Sequence, residues 1–156
     1  VSYVSTVLGQ STDSDLALLK LKDQNTIFTV AAVAPKETGE SLIFGQDTFS
    51  VSYPLGGSQT LTIGTLGRVE KIPDFGTKTT EFYRSTPDIG PGSSGSALFQ
   101  HTTGKYELIG VLTGQARGFT FYNMYTPIEE IVAYLDVAKK VYEVNVTKTE
   151  MIKITK

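Results

Sequence analysis

Thr86-Pro-Asp-Ile-Gly-Pro-Gly-Ser-Ser-Gly-Ser-Ala-Leu-Phe99 is the stretch from which the rest of the chain can be ordered. Gly92 and Gly95 accept backbone angles closed to other residues, so the chain can turn sharply there. Such a turn leaves consecutive N–H groups pointing into one concavity. A serine in that concavity sits where a carbonyl oxygen could be held. Pro91 stiffens the approach, and Ala97 to Phe99 begin an apolar run that reads as a buried strand. Gly/Ser clusters are also ordinary turns, so the four letters Gly-Ser-Ser-Gly acquire meaning only from what surrounds them.

Downstream, Ala97 to Phe99 and Tyr106 to Thr113 read as two strands joined by a polar turn, Gln100 to Lys105, which contains His101. Phe119 to Tyr125 gives one more, aromatic, strand. Upstream, Thr60 to Leu66 alternates and carries Gly64, with Gly67 just beyond. Phe49 to Tyr53, Ser41 to Phe44 and Thr26 to Ala34 precede it, and a surface loop, Asp74 to Thr80, leads into Glu81-Phe82-Tyr83. The chain opens on a strand, Val1 to Leu8, then a polar turn, Gly9 to Ser14. Asp15 then starts D-L-A-L-L-K-L, whose apolar character predicts a strand buried on both faces. A helical pattern appears only after Tyr125. Thr126 reads as the N-cap and Pro127 as the first helical residue. Ile128, Ile131, Val132, Leu135 and Ala138 fall at helical spacing, and Lys139 and Lys140 close the last turn. About ten short strands followed by one helix place the chain in the all-β class. The tail, 142–156, reads as an added strand or a disordered end.

Composition narrows the function classes. The 156 residues carry 14 Lys and Arg against 16 Asp and Glu, which gives no broad attraction to nucleic acid or anionic membrane. There is no cysteine, so disulfides and thiolate chemistry are absent. No apolar run approaches the ~18 residues of a membrane span, and Val1 to Val4 have no signal-peptide character. An aspartate at the mouth of a strand, as at position 15, is costly to bury unless it is hydrogen-bonded. It is otherwise a turn-ending carboxylate in solvent.

Four segments in order give the chain a family resemblance: D-L-A-L-L-K-L from Asp15, Y-P-L-G-G-S-Q-T-L-T-I-G from Tyr53, P-G-S-S-G-S-A-L-F from Pro91 and L-I-G-V-L-T-G from Leu108. A fifth, Y-T-P-I-E-E-I from Tyr125, is similar to an entry into a C-terminal helix. Together they resemble the trypsin-like serine peptidases, in the cysteine-free bacterial and HtrA-like branch. The resemblance implies two antiparallel β-barrels of the chymotrypsin type with the active site between them. It implies residues 1–34 as the remainder of the N-terminal barrel, 35–125 as the C-terminal barrel, 126–141 as the helix and 142–156 as a tail. Position by position, it implies Ser94 as nucleophile, Asp15 as the aspartate that orients the base, and the N–H groups of Gly92 and Ser94 as the oxyanion hole. Ser93 and Ser96 are flanking alternatives to Ser94. Protein or peptide is the implied substrate, with no metal or organic cofactor. The rival from another class is a noncatalytic peptide-binding or assembly module on the same fold.

The departure from the family is the base. His101, the one histidine in the chain, falls after Ser94 and is not assigned to catalysis. The family's histidine precedes the aspartate, so its motif is expected upstream of Val1. It would be carried by a noncovalently held N-terminal fragment, unless the domain is inactive or the chain is part of a longer protein. For the substrate, Asp88 stands six residues before Ser94, where trypsin has the acidic residue that receives lysine or arginine. In HtrA-like relatives this loop is shaped differently, so both readings stay open. Thr113, Gly114 and Gln115 are expected to line the cleft, where an extended substrate would pair as an added strand. Leu112 replaces the histidine of glutamate-specific relatives, and Ser93 replaces the aspartate of the zymogen switch.

Overall fold

The computed structural model describes residues 3–23, 25–72, 77–78, 81–102, 104–116, 122–142 and 152–154. Strands β4 (Asp47–Ser52), β5 (Thr60–Lys71), β6 (Glu81–Ser85), β9 (Asn123–Pro127), β8 (Lys105–Gln115) and β7 (Ala97–Thr102) pair in that cyclic order, and β7 returns to β4. All six pairings are antiparallel. Closure leaves no sheet edge within the ring. Outside it, β3 (Thr29–Val33) runs parallel to β8, with Ala32 opposite Glu107 and Val33 opposite Leu108. The tail contributes β10 (Ile152–Ile154), antiparallel to β3. Strands β1 (Ser5–Ser11) and β2 (Leu16–Leu21) form a separate two-stranded sheet.

The core joins these parts through the helix α2 (Ile128–Tyr142). Its predicted stripe is buried at Ile128, Ile131, Leu135 and Ala138, and half-buried at Val132. That stripe meets Leu66, Tyr83, Leu98, Ile109, Leu112 and Tyr125 of the barrel and Leu16 of β2 in one apolar cluster. The inward positions of β4 are polar and small: Thr48 Oγ1 lies 2.8 Å from Ser85 Oγ, and Ser50 Oγ donates to the Ala97 carbonyl at 3.0 Å. The buried hydroxyls of Thr48 and Ser50 are tolerated because a neighbouring hydroxyl and a sheet carbonyl pair with them.

Several sequence expectations are corrected. D-L-A-L-L-K-L is buried on one face only, because β2 belongs to a two-stranded sheet. Leu16 is buried, whereas Val7 and Leu19, paired in register, are 58% and 55% exposed. β1 continues past Gly9 through a bulge to Ser11. Ser41 ends a one-turn helix α1 (Thr38–Ser41), and the chain then turns at Gly45, φ +85°. β5 passes through Gly67, which sits in a bulge between Leu66 and Arg68; a glycine inside a strand marks such irregularities. His101 lies on β7 opposite Tyr106, with ring centroids 4.8 Å apart, instead of in a turn. Thr126 does not cap α2: it belongs to β9, and its hydroxyl donates to the Ser14 carbonyl at 3.0 Å. Most of the predicted loop 74–80, and the start of the predicted strand at Phe119, lie outside the described residues.

One glycine ties the barrel to the serine stretch. A Cβ on Gly64 would lie 2.3 Å from Pro87 N and 2.5 Å from Thr86 C, backbone atoms that cannot swing aside. Gly64→Ala is expected to lower the unfolding free energy by about 1–3 kcal/mol through overpacking. Urea denaturation measures it, and an unchanged midpoint would show that the 86–87 segment yields freely.

Candidate active site

The serine turn is held at three of its amides. Ser93 N–H donates to Gly90 O at 3.1 Å, Gly95 N–H to Leu112 O at 2.8 Å, and Ser96 N–H to Ser93 O at 3.0 Å. Among the described residues, the amides of Gly92 and Ser94 donate to no protein acceptor. Gly92 and Gly95 have φ of +88° and +85°, the left-handed region where glycine carries no steric penalty. Ser94 is exposed, Ser96 half-buried, and Ser93 buried with its hydroxyl unpaired. The turn thus presents one serine and two unused donors to solvent.

A second turn supports the first. Leu55, in the short helical turn Pro54–Gly56, donates its N–H to Pro91 O at 2.8 Å. Its own φ is +55°, a conformation that costs a branched residue about 1–2 kcal/mol. Leu55 N lies 3.1 Å from where a Cβ on Gly92 would stand. The Y-P-L-G-G segment therefore acts through its backbone, which composition does not reveal.

Asp15 stands at the end of the β1–β2 turn, exposed, with φ +51°, and aspartate tolerates this region better than most residues. Among the described residues its carboxylate has no hydrogen-bond partner, so Asp15 is the exposed, turn-ending carboxylate of the two alternatives. Its position is set by a relay from the preceding residue. Thr126 Oγ1 donates to Ser14 O, and Thr113 Oγ1 lies 2.7 Å from Thr126 Oγ1. Ser14 Oγ also donates to Glu130 at 2.9 Å, and Lys78 pairs with Asp13 at 2.9 Å. Because Leu112, next to Thr113, bonds Gly95 and Ser96, the Asp15 turn and the Ser94 turn hang on adjacent residues of β8. Ser14 and Thr126 tie the Asp15 turn to β9, a link that the sequence did not reveal. A lone Thr before Pro reads as a cap, and only the fold shows another acceptor.

Thr113, Gly114 and Gln115 continue along β8 from the Leu112 anchor, and Asp88 is exposed on the loop before Ser94. His101 lies toward the far end of β7, about 13 Å along the strand from Ala97 at the strand rise of ~3.3 Å per residue. The described residues hold no grouping of side chains suited to a metal ion.

Two buried tyrosines shape the electrostatics behind the site. Burial raises the Tyr125 hydroxyl to about 12. Tyr83 is also raised, by burial and by its 2.7 Å hydrogen bond to Glu129. An unfolded tyrosine titrates near 10, so the folded state holds these protons more tightly. Their contribution is whole below pH ~10 and is lost as pH rises toward the folded values. Stability is expected to fall steeply above pH ~10, with a loss on the order of 3 kcal/mol from Tyr125 by pH ~12. Tyr125→Phe should flatten that slope; equal slopes in both proteins would count against the assignment.

Comparison with known proteins gives a consistent picture. The family model described as "Trypsin-like peptidase domain" matches residues 1–111. The chain is 31% identical over 130 residues to putative serine protease HhoA of Synechocystis sp., covering 81% of this chain and 32% of that protein. It is 33% identical over 104 residues to Protease Do-like 5, chloroplastic, of Arabidopsis thaliana, covering 63% of this chain and 31% of that protein. The chain thus spans about a third of the length of either relative. Among solved structures, Deg5 superposes with a TM-score of 0.70 at 28% identity, over 91% of this chain and 63% of that one. HtrA-type protease AlgW with a decapeptide gives 0.70 at 22% identity, over 90% of this chain and 41% of that one, a likeness of fold.

Proposed function

Since this chain belongs to the trypsin-like peptidase domain family, we propose that it is the nucleophile-bearing part of a serine endopeptidase whose histidine comes from an N-terminal segment outside these 156 residues. That segment completes the first barrel. The observation that carries the reading is the pair of unused amides beside an exposed Ser94. A serine hydroxyl is a weak nucleophile until a base takes its proton. The imported imidazole accepts it as Ser94 Oγ attacks the peptide carbonyl, and the amides of Gly92 and Ser94 receive the developing oxyanion. The imidazolium then protonates the leaving amine, and water hydrolyses the acyl-enzyme by the same route. Asp15 orients the ring. The extended substrate lies along Thr113 to Gln115, with Asp88 on the loop bounding its pocket.

Support for attachment at the two-stranded sheet comes from its edges and one face. Both outer edges of β1–β2 are unpaired among the described residues, and Val7 and Leu19 expose apolar surface on one face. Added strands would satisfy those edges. The rival reading, a noncatalytic peptide-binding or assembly module, draws support from the remote placement of His101. A fluorophosphonate probe separates the two. Labelling of Ser94 that rises by about 10²–10⁴ when a histidine-bearing N-terminal segment is added supports the enzyme, that being the range of general-base assistance. An assembled protein that stays unlabelled supports the module.

A further inference from the structure

The first turn of α2 carries two glutamates, Glu129 and Glu130. Acidic side chains at a helix start commonly do no more than complement its dipole. Here the two adjacent positions, about 100° apart around the helix, take hydrogen bonds from different parts of the molecule. Glu129 accepts from the Tyr83 hydroxyl of β6 at 2.7 Å, and a Cβ on Gly39 of α1 would run into its Oε1. Glu130 accepts from Ser14 Oγ at 2.9 Å. The helix start thus grips the barrel with one carboxylate and the β1–β2 turn with the next. Ser14 is buried and bonded at three atoms: its N–H donates to Ser11 Oγ at 3.2 Å, its Oγ donates to Glu130, and its carbonyl accepts from Thr126. On the other side of Asp15, Leu16 is buried in the apolar cluster that α2 shares with the barrel. Asp15 itself, at φ +51°, holds a backbone conformation that persists where the neighbours over-determine it.

We infer that Glu130 is a positioning residue for the proposed reaction: through Ser14 Oγ it fixes the peptide that carries Asp15, and so the direction from which the Asp15 carboxylate meets the imported imidazole. The inference rests on the proposed roles of Ser94 and Asp15. The Ser11 bond lies within the turn and moves with it. Thr126 and Glu130 hold Ser14 from outside, one at the carbonyl and one at the side chain, and two separated anchors stop a rotation that one anchor leaves free. A hydrogen bond to a carboxylate is about twice as strong as a neutral one, and this one is partly buried. Glu130 shares a cavity with Lys78 and Glu81, and Lys78 is paired with Asp13 of the same turn. Residues 13 and 14 are therefore both tied to segments outside the turn. Without the Glu130 bond, the 14–15 peptide is free to turn, and a shift of about 1 Å in a group that orients the reactants costs about 10²-fold in rate. Glu130 takes no part in the proton transfers.

Charge and acceptor can be separated at this position. Glu130→Gln removes the charge at the helix start and keeps an oxygen for Ser14 Oγ, whereas Glu130→Ala removes both. In the assembly that carries the histidine, Glu130→Ala is expected to lower kcat on a peptide anilide by about 10- to 100-fold, with KM within about twofold. The acid limb of its kcat/KM profile should move to lower pH, because a displaced carboxylate no longer favours the imidazolium. Glu130→Gln should recover the rate to within about threefold of the unaltered assembly, although it too lacks the helix-start charge. Ser14→Ala, which keeps both glutamates, should match Glu130→Ala, and the double variant should be no slower than either single one, as for two groups that act through one contact. If Glu130→Ala does not fold, Ser14→Ala decides. Equal losses in Glu130→Ala and Glu130→Gln, or a Ser14→Ala assembly with the unaltered rate and pH profile, overturn the inference and leave the peptidase reading standing. An unaltered assembly that neither cleaves nor takes a fluorophosphonate label overturns both together.

Discussion

Ser94→Ala, assembled with a histidine-bearing segment, is expected to cleave peptide bonds about a million-fold more slowly than the unaltered assembly, and to lose all fluorophosphonate labelling. Losses of that size follow removal of the nucleophile from a serine-based triad, because the base then has nothing to activate. Residual acceleration of about 10³–10⁴ over water should survive, because the two amides and the peptide-binding strand are untouched. Neither neighbour can take over. Ser93 is buried with a hydroxyl that reaches no partner, and Ser96 is half-buried behind the turn. Initial rates on a peptide anilide, with intact-mass analysis of the labelled chain, measure both effects. A loss of tenfold or less, or a label retained elsewhere in the chain, would remove Ser94 from the mechanism.

Gly92→Ala is expected to lower kcat by about 10²–10³, the usual consequence of misplacing one oxyanion donor. The substitution forces a side chain onto a backbone at φ +88° and brings Cβ within 3.1 Å of Leu55 N. The turn can relieve this only by rotating the 92 peptide, which moves its N–H away from the pocket. Gly95→Ala is the control. Its φ is similar, +85°, but no atom lies within 4 Å of the added Cβ, and its amide is bonded to Leu112 O. It should cost about 1–2 kcal/mol of stability from backbone strain and leave kcat within a few-fold. Equal kcat values in the two variants would show that the Gly92 amide does not meet the reacting carbonyl.

Much of the architecture was open to a reader of the chain. The stripe of α2, the strands on either side of the serine turn and the glycine-bracketed turn itself depend on local periodicity and on which residues tolerate positive φ, and both are properties of short segments. Other features failed to show for reasons equally physical. β2 looked buried on both faces because an apolar run records hydrophobicity and not what lies against each face. Thr126 before Pro127 looked like a helix cap because the competing acceptor, Ser14 O, is 112 residues away in sequence. The polar residues around His101 imply a turn, yet it pairs with Tyr106 across the β7–β8 ladder, because polar residues on an exposed strand face carry no turn signal of their own.

Residue order alone was enough for the class of fold, the place of the glycine-bracketed serine turn, and the position of His101 after Ser94. Those are matters of residue identity and short-range conformation. Which amides stay unused, how Ser14, Thr126 and Thr113 connect the two turns, and that Asn123 bonds the Pro87 carbonyl were decided at the tertiary level alone. These depend on hydrogen bonds between segments far apart in the chain, whose partners are selected by strand register and barrel closure and leave no local signature.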